Sequence, residues 1–493
     1  MKRSSGILMP ISSLPSPYGI GTLGKSAYEF VDFLSMAGQN YWQLLPLGPT
    51  SYGDSPYSSF STYAGNPYYI DPDMLIDEGL LKPSEVESVN WGDRPDRVDY
   101  GKIYEGRYSM LRRAFARGAE KYREQVAAFR AENADWVESY GLYMAVKAHF
   151  GMAAWTQWPD EGIRMRRPEA VAEYGQKLKE DVEFYIFLQF LFFEQWNALR
   201  QYAKDKNVSF IGDIPIYVLL DSADVWGEPQ LFQLNEENMP VEVAGVPPDF
   251  FNADGQLWGN PLDDWDAMEK DGYGWWIRRI GGATRLYDVI RIDHFRGFES
   301  YWAVPAGNET AQIGTWRPGP GMKLVGVLTS WFPEIQFIAE DLGYTTEGVR
   351  KLLADSGLPG MKILEFAFDG HEELDYLPHK CCPNSVCYLG THDNDTVQGW
   401  LETVSEDYLT AARDYMHITE EEGWNWGLIR TGMGTTSNLF VMQMQDLLEL
   451  PADCRMNTPG IPSGNWQWRM HPGAYDDALA KKLYYYTKLF ERL

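Results

Sequence analysis

The stretch Asp288-Val-Ile-Arg-Ile-Asp-His-Phe decides the fold of this chain. In an extended backbone successive side chains point to opposite faces. Ile290 and Ile292 therefore share one face, and Arg291 and Asp293 share the other. An apolar face opposite a charged one suits a barrel strand, whose outside meets helices and whose inside ends at a polar mouth. Charges inside a barrel are costly unless paired. Arg291 and Asp293 are expected to pair, and the guanidinium is expected to keep Asp293 ionised at neutral pH. An oriented, ionised carboxylate is what a carboxylate nucleophile requires. A purely structural ion pair fits the same pattern.

Outward from this stretch, short β-rich runs ending in polar residues alternate with helical patterns. With the 289–295 run itself, the runs span 6–14, 41–47, 209–218, 337–342, 361–368, 386–393 and 441–447. Between the first two, Ala27, Phe30, Val31 and Leu34 follow i, i+3, i+4, i+7 spacing, and Gly38 closes the helix. Thr346 is placed to cap a helix carrying Val349, Leu352 and Leu353, which Gly357 stops. Eight such alternations predict an α/β fold, a (β/α)8 TIM barrel spanning 1–493. Two gaps are too long for simple connections and are expected to hold large helical or irregular insertions. One, 48–208, follows strand 2 and includes helical patterns over 110–133 and 184–204. The other, 219–288, follows strand 3. Both leave from strand C-terminal ends, where barrels carry their sites, so both should wall the cleft. A last helix from about Asp476 ends the sequence, with no trailing C-terminal β-sandwich.

Composition narrows the function. Hydrophobic residues make up 44% and charged residues 23%, enough for a large core on a soluble surface. The net charge of -27 repels phosphate backbones and anionic membranes, which argues against nucleic-acid and membrane partners. Cys381, Cys382, Cys387 and Cys454 form no Cys-x-x-Cys pair, so neither a disulfide framework nor a zinc site is expected. The apolar run at 184–193 is broken by Gln189 and too short to span a bilayer. The short, Pro-interrupted start does not read as a signal peptide. A reducing cytoplasm is the expected location. The 19 Trp and 30 Tyr are mostly core, but those in polar, Gly-rich segments offer faces on which sugar rings stack.

Three further run ends carry acids. Gln336-Phe-Ile-Ala-Glu-Asp-Leu-Gly ends in Glu340 and Asp341, one of which should face the cleft. A partly desolvated glutamate there has a raised pKa and can act as general acid and then base. The seventh run ends Leu389-Gly-Thr-His-Asp-Asn-Asp-Thr, and the third ends Gly212-Asp-Ile-Pro-Ile-Tyr, with Asp213. Carboxylates at the ends of strands three, four, five and seven, many aromatics, no metal-ligand cluster and no phosphate loop point to glycosidic bond chemistry. No metal and no cofactor is expected.

These residues carry a resemblance. Nearly end to end the chain resembles the 4-α-glucanotransferases (amylomaltase, disproportionating enzyme) of glycoside hydrolase family 77. The carriers include Gly212-Asp-Ile-Pro-Ile-Tyr-Val, Arg291-Ile-Asp-His-Phe-Arg-Gly-Phe, Ala339-Glu-Asp-Leu-Gly and Gly390-Thr-His-Asp-Asn-Asp-Thr. Others are Ser55-Pro-Tyr-Ser-Ser-Phe-Ser, Gly65-Asn-Pro-Tyr, Pro247-Pro-Asp-Phe-Phe, Gly255-Gln-Leu-Trp-Gly-Asn-Pro and Arg455-Met-Asn-Thr-Pro-Gly. The resemblance implies Asp293 as nucleophile, Glu340 as general acid/base and Asp393 as a third carboxylate gripping sugar hydroxyls. It implies that Arg291, His294, His392 and Asp213 bind glucose around the cleaved bond. Gln256 and Trp258 would belong to a flexible lid loop, and Tyr57 would be an aromatic platform. It implies an α-1,4-glucan or maltooligosaccharide donor and a glucose or glucan acceptor. A retaining α-1,4-glucan hydrolase and a non-catalytic α-glucan-binding protein are the alternatives. One departure stands out: after Gly259-Asn-Pro-Leu an aromatic is expected, and Asp263 is there.

Overall fold

A computed structural model describes residues 2–51, 53–248, 252–343, 345–369, 374–461 and 463–493. Asp249, Phe250 and Phe251 of the Pro247-Pro-Asp-Phe-Phe motif lie outside the described residues.

Eight strands form one all-parallel sheet: β1 (Ser4–Leu8), β2 (Tyr41–Gln43), β3 (Ser209–Ile214), β4 (Val289–Ile292), β5 (Gln336–Ala339), β6 (Gly360–Ile363), β7 (Ser385–Tyr388) and β8 (Leu439–Gln443). They follow chain order round a ring, with β8 beside β1. At the remaining seam the Ala339 N–H donates to the Pro359 carbonyl at 2.9 Å, bringing β5 against β6. This is the (β/α)8 barrel read from the sequence. The strands are shorter than the apolar runs implied. The 6–14 run leaves the sheet after Leu8, before Pro10, which has no N–H to give a ladder, and the 209–218 run leaves before Pro215.

Alternation does what it promised on β4. Val289 joins Leu8, Ile211, Ile338, Met361, Ile363, Val386, Tyr388, Leu439 and Val441 in one cluster, the barrel interior. Ile290 and Ile292 join Ile7, Trp42, Phe210, Phe337 and Phe440 in the large core under the helices. Each such buried aliphatic contributes about 1.5–3 kcal/mol relative to exposure. The interior turns polar at the C-terminal ends of the strands, where the Tyr388 hydroxyl donates to Gln43 at 2.8 Å.

The helices confirm their signals. Lys25–Met36 buries Ala27, Phe30, Val31 and Leu34. Glu347–Ser356 is capped by the Thr346 hydroxyl, which accepts the Val349 N–H at 3.2 Å, and ends at Gly357 with φ +67°. Between β2 and β3 the 110–133 pattern splits at Tyr122 into Tyr100–Lys121 and Arg123–Glu132. The apolar 184–193 run lies inside the 27-residue helix Lys179–Asp205.

One feature departs from expectation. The segment after β3 is more than helical or irregular. Its strands Gln256–Pro261 and Glu242–Val246 pair with each other, and Glu242–Val246 pairs with Ser300–Pro305, which with Thr315–Pro318 follows β4 and completes a four-stranded antiparallel sheet. Gly245, Gly259 and Pro261 blur the alternation, and the partners lie far apart in sequence. Gln256 and Trp258 consequently stand on an edge strand instead of a loop.

Candidate active site

The strand register builds the centre of the site. On adjacent parallel strands Asp213 of β3 sits opposite Arg291 of β4. Arg291 Nη1 donates to both Asp213 carboxylate oxygens at 2.7 Å and to Asp293 Oδ1 at 2.9 Å. The Arg291 and Asp213 side chains are 3% and 0% exposed, and that of Asp293 is 26% exposed. The inner pair is therefore sealed, while Asp293 reaches out of the barrel mouth.

The next strand brings its acid to the same place. Glu340 follows β5 directly. Its Oε2 accepts the N–H of His294, the residue after Asp293, at 2.7 Å, and its Oε1 accepts the Leu342 N–H at 2.8 Å. His294 takes the left-handed region at φ 52°, which turns the chain so that this N–H meets Glu340. Asp341, the other candidate, turns away: its Oδ1 accepts the Met361 N–H at 2.7 Å.

Burial sets the protonation of the two acids. It pushes Glu340 up to about 7, helped by the Asp293 charge and opposed by Arg291 and the two backbone N–H groups. Burial also raises Asp293, to about 6, with Arg291 opposing most strongly. The guanidinium limits that rise without lowering Asp293 below its ordinary value. The order still leaves Asp293 as the more readily ionised partner and Glu340 as the more readily protonated one.

A third wall comes from the loop after β7. Burial alone would raise Asp393, but His392 and the Asn457 amide hold it well below the usual carboxylate range. Asn457 Nδ2 donates to Asp393 Oδ1 at 2.6 Å, and His392 Nε2 lies 3.4 Å from Asp393 Oδ2. The Tyr57 hydroxyl links this wall to the centre. It donates to Asp213 at 2.8 Å and lies 2.9 Å from His392 Nε2, and its ring stacks on His392 at 5.1 Å. The Trp258 indole meets the His294 ring edge-on at 4.8 Å and is 38% exposed. Burial lowers His294 to about 3, so its ring is neutral. Gln256 meets the group through Trp258, whose indole N–H donates to it at 3.2 Å.

Thus Tyr57, Asp213, Arg291, Asp293, His294, Glu340, His392 and Asp393 converge, and Trp258 and Gln256 border them. Two neighbours went unread in the sequence. Asn457 touches Asp393, and Trp466 packs near Tyr57 at 5.8 Å and His392 at 6.0 Å. Both come from an irregular segment without periodicity; only the Arg455-Met-Asn-Thr-Pro-Gly string marked it. Asp263 stays apart from the site. It is 1% exposed, and burial raises it to about 7 against the opposing Arg279 charge and the Trp276 side chain. A pocket lined by Tyr57, Asp213, Tyr217 and Tyr287 lies beside the inner pair. Among the described residues no group of three His, Cys, Asp or Glu could hold a metal ion, and no helix is long and apolar enough to cross a membrane.

Comparison with known proteins agrees along the whole chain. A family model described as 4-alpha-glucanotransferase matches residues 9–475. A 4-alpha-glucanotransferase of Clostridium butyricum is 48% identical, covering 98% of this chain and 100% of the relative. One from Thermus thermophilus is 45% identical, covering 100% of both. A solved amylomaltase from Streptococcus agalactiae in complex with acarbose has a TM-score of 0.97 and 41% identity, covering 100% of both chains.

Proposed function

We propose, from the premise that this chain belongs to the 4-alpha-glucanotransferase family, glycoside hydrolase family 77, and transfers α-glucan segments, that it works by double displacement between Asp293 and Glu340. Glu340 protonates the glycosidic oxygen as the bond to the anomeric carbon breaks. Asp293 forms a bond to that carbon, giving a covalent glucosyl-enzyme. Glu340, now ionised, takes the proton of an acceptor 4-hydroxyl, which displaces Asp293 with net retention. Asp393 and His392 grip hydroxyls of the distorting ring, and Arg291 and Asp213 fix the nucleophile. Tyr57 and Trp258 offer faces to neighbouring sugar rings. The donor is an α-1,4-glucan or maltooligosaccharide, and the acceptor is glucose or another α-glucan.

One observation carries the reading. Glu340 takes a hydrogen bond from the amide directly after Asp293 and feels the Asp293 charge, which supports a shared site with the proton favoured on Glu340. The insertions 48–208 and 219–288 are read as elaborations of a single barrel that wall this cleft. The free cysteines, with Cys381 and Cys387 buried, fit a reducing cytoplasm.

The test is incubation with maltotriose. A ladder of longer and shorter glucans with little net gain in reducing ends is expected, and free glucose without the ladder would overturn transfer. Replacing Asp293 by Asn should abolish turnover. Glu340→Gln should cut kcat by about 10²–10⁴-fold with a glucan donor. It should cut it far less in the first step with an α-glucosyl fluoride, whose leaving group needs no proton. Equal loss with both donors would remove Glu340 from the acid role.

A further inference from the structure

We propose that Glu365 is a positioning residue held as an uncharged carboxylic acid beneath the 390–396 loop, and that its proton keeps His392 and Asp393 seated over the cleft. The proposal rests on the reading of Asp393 as the third carboxylate.

Glu365 opens a short turn just after β6 and is 2% exposed. Its backbone N–H donates to the Leu389 carbonyl at 3.3 Å. Its Oε1 lies close to Gly390, where an added Cβ would come within 2.8 Å of Glu365 Oε1 and 3.0 Å of Gln443 Nε2. The loop beginning there is fastened at several further points. Asn394 Oδ1 accepts the Thr391 N–H at 2.9 Å, and Gln443 Nε2 donates to the Asp395 carbonyl at 3.0 Å. Asp446 Oδ1 accepts the Val397 N–H at 2.8 Å, and Arg455 Nη2 donates to the Asp393 carbonyl at 2.5 Å.

The charges facing Glu365 come from three elements. Asp446 lies just past β8 and is 0% exposed, Asp395 lies on the loop itself, and Arg455 comes from the segment before Asn457. Three carboxyls thus share one guanidinium, and that guanidinium is already engaged. Its Nε donates to the Asn457 carbonyl at 2.6 Å, Nη2 serves Asp393, and Nη1 reaches Asp395 Oδ2 at 3.4 Å. Glu365 Oε1 has no hydrogen-bond partner among the described residues, and neither has the buried Gln443 Oε1. The Asn394 side chain serves the Glu365 carboxyl, and an O–H on Glu365 adds a donor where two buried acceptor oxygens are left without one. A charge on Glu365 would instead compete with Asp395 and Asp446 for the single Arg455 guanidinium, directly under the loop that presents Asp393. Burial pushes Glu365 well above the usual carboxylate range; Asp446 and Asp395 add to the rise, and Arg455 and Asn394 oppose it.

The sign of the stability effect separates this from an ordinary buried ion pair. A group whose folded pKa lies above its unfolded value loses stability for the protein as pH rises from the unfolded value towards the folded one. Glutamine pays no such penalty. Full-length E365Q should therefore unfold at a higher temperature than the parent, with the gap widening from pH 5 to pH 8. Parent-minus-E365Q infrared difference spectra at pH 7 should carry the carbonyl stretch of a protonated acid. Transfer activity should fall on the order of 10–100-fold in E365A and return to within about threefold of the parent in E365Q. A lower unfolding temperature for E365Q at every pH, or ionised-carboxylate bands in the difference spectrum, would overturn the proposal. Should E365A fail to fold, the unfolding and infrared readouts on E365Q decide by themselves. The unfolding and infrared readouts involve no sugar, so they can fail while the Asp293 and Glu340 assignments stand.

Discussion

Arg291 is the residue on which the centre depends. Its one Nη1 group meets three carboxylate oxygens, on Asp213 and Asp293, while its side chain is 3% exposed. Removing one member of such a buried group leaves uncompensated charge and costs about 3–5 kcal/mol. Arg291→Met should show that loss in urea unfolding, and the acidic limb of its residual activity should move to higher pH as Asp293 binds its proton more tightly. The parent enzyme should give a bell-shaped profile of kcat/KM against pH. Activity rises through about 6 as Asp293 ionises and falls through about 7 as Glu340 loses its proton. Because the two acids are neighbours, the limbs report the pair, and Glu340→Gln should erase the alkaline one. Asp293 and Arg291 were legible in the sequence because alternation alone sorts one strand into two faces. Choosing between Glu340 and Asp341 was beyond spacing. The choice rests on where β5 ends, and there the Met361 N–H claims Asp341.

At the scale of elements, the barrel was legible and the small sheet was not. Most barrel strands are local apolar runs followed by a helix, so the signal lies within a short window. The antiparallel sheet joins segments on either side of β4 and contains Gly245, Gly259 and Pro261, so no window shows it. Its edge strand carries Trp258 to His294. Trp258→Ala should leave the fold intact and, if the proposed sugar-ring face serves the acceptor, raise the share of free glucose from maltotriose, since that face is lost while water still enters. An unchanged ratio of glucose to ladder would remove Trp258 from the acceptor side. Barrel strands also carry close contacts that only glycine permits. At Gly212 on β3 a Cβ would come within 2.1 Å of the Tyr287 ring, whose hydroxyl accepts the Leu47 N–H at 3.3 Å. Gly212→Ala must shift β3 or that ring, so a loss of about 1–3 kcal/mol is expected in denaturant unfolding.

Across the whole molecule, the ring of strands has to be held shut at the junction between its first and last members. Arg492, beyond the last helix Asp477–Leu489, performs that task, and its side chain is 0% exposed. Its Nε donates to the Met433 carbonyl at 2.8 Å, Nη1 to the Ser4 carbonyl at 2.8 Å, and Nη2 to the Thr435 and Ser437 carbonyls at 3.1 Å. Ser4 begins β1, and Ser437 lies two residues before β8, so one planar cation spans the β8–β1 junction. Arg3 adds to it, donating to the Thr435, Met433 and Phe490 carbonyls. Hydrogen bonds from a charged donor are worth about 1.5–3 kcal/mol each, and their buried acceptors have no water to replace them. Burial lowers Arg492 to about 10, which leaves it charged at neutral pH. Arg492→Ala should therefore lower stability by about 3 kcal/mol or more in urea unfolding. The opposite end of the barrel carries the chemistry, so kcat on maltotriose, measured well below the unfolding temperature, should stay close to the parent value. A large fall in kcat with unchanged stability would mean that the junction governs the cleft instead of the closure.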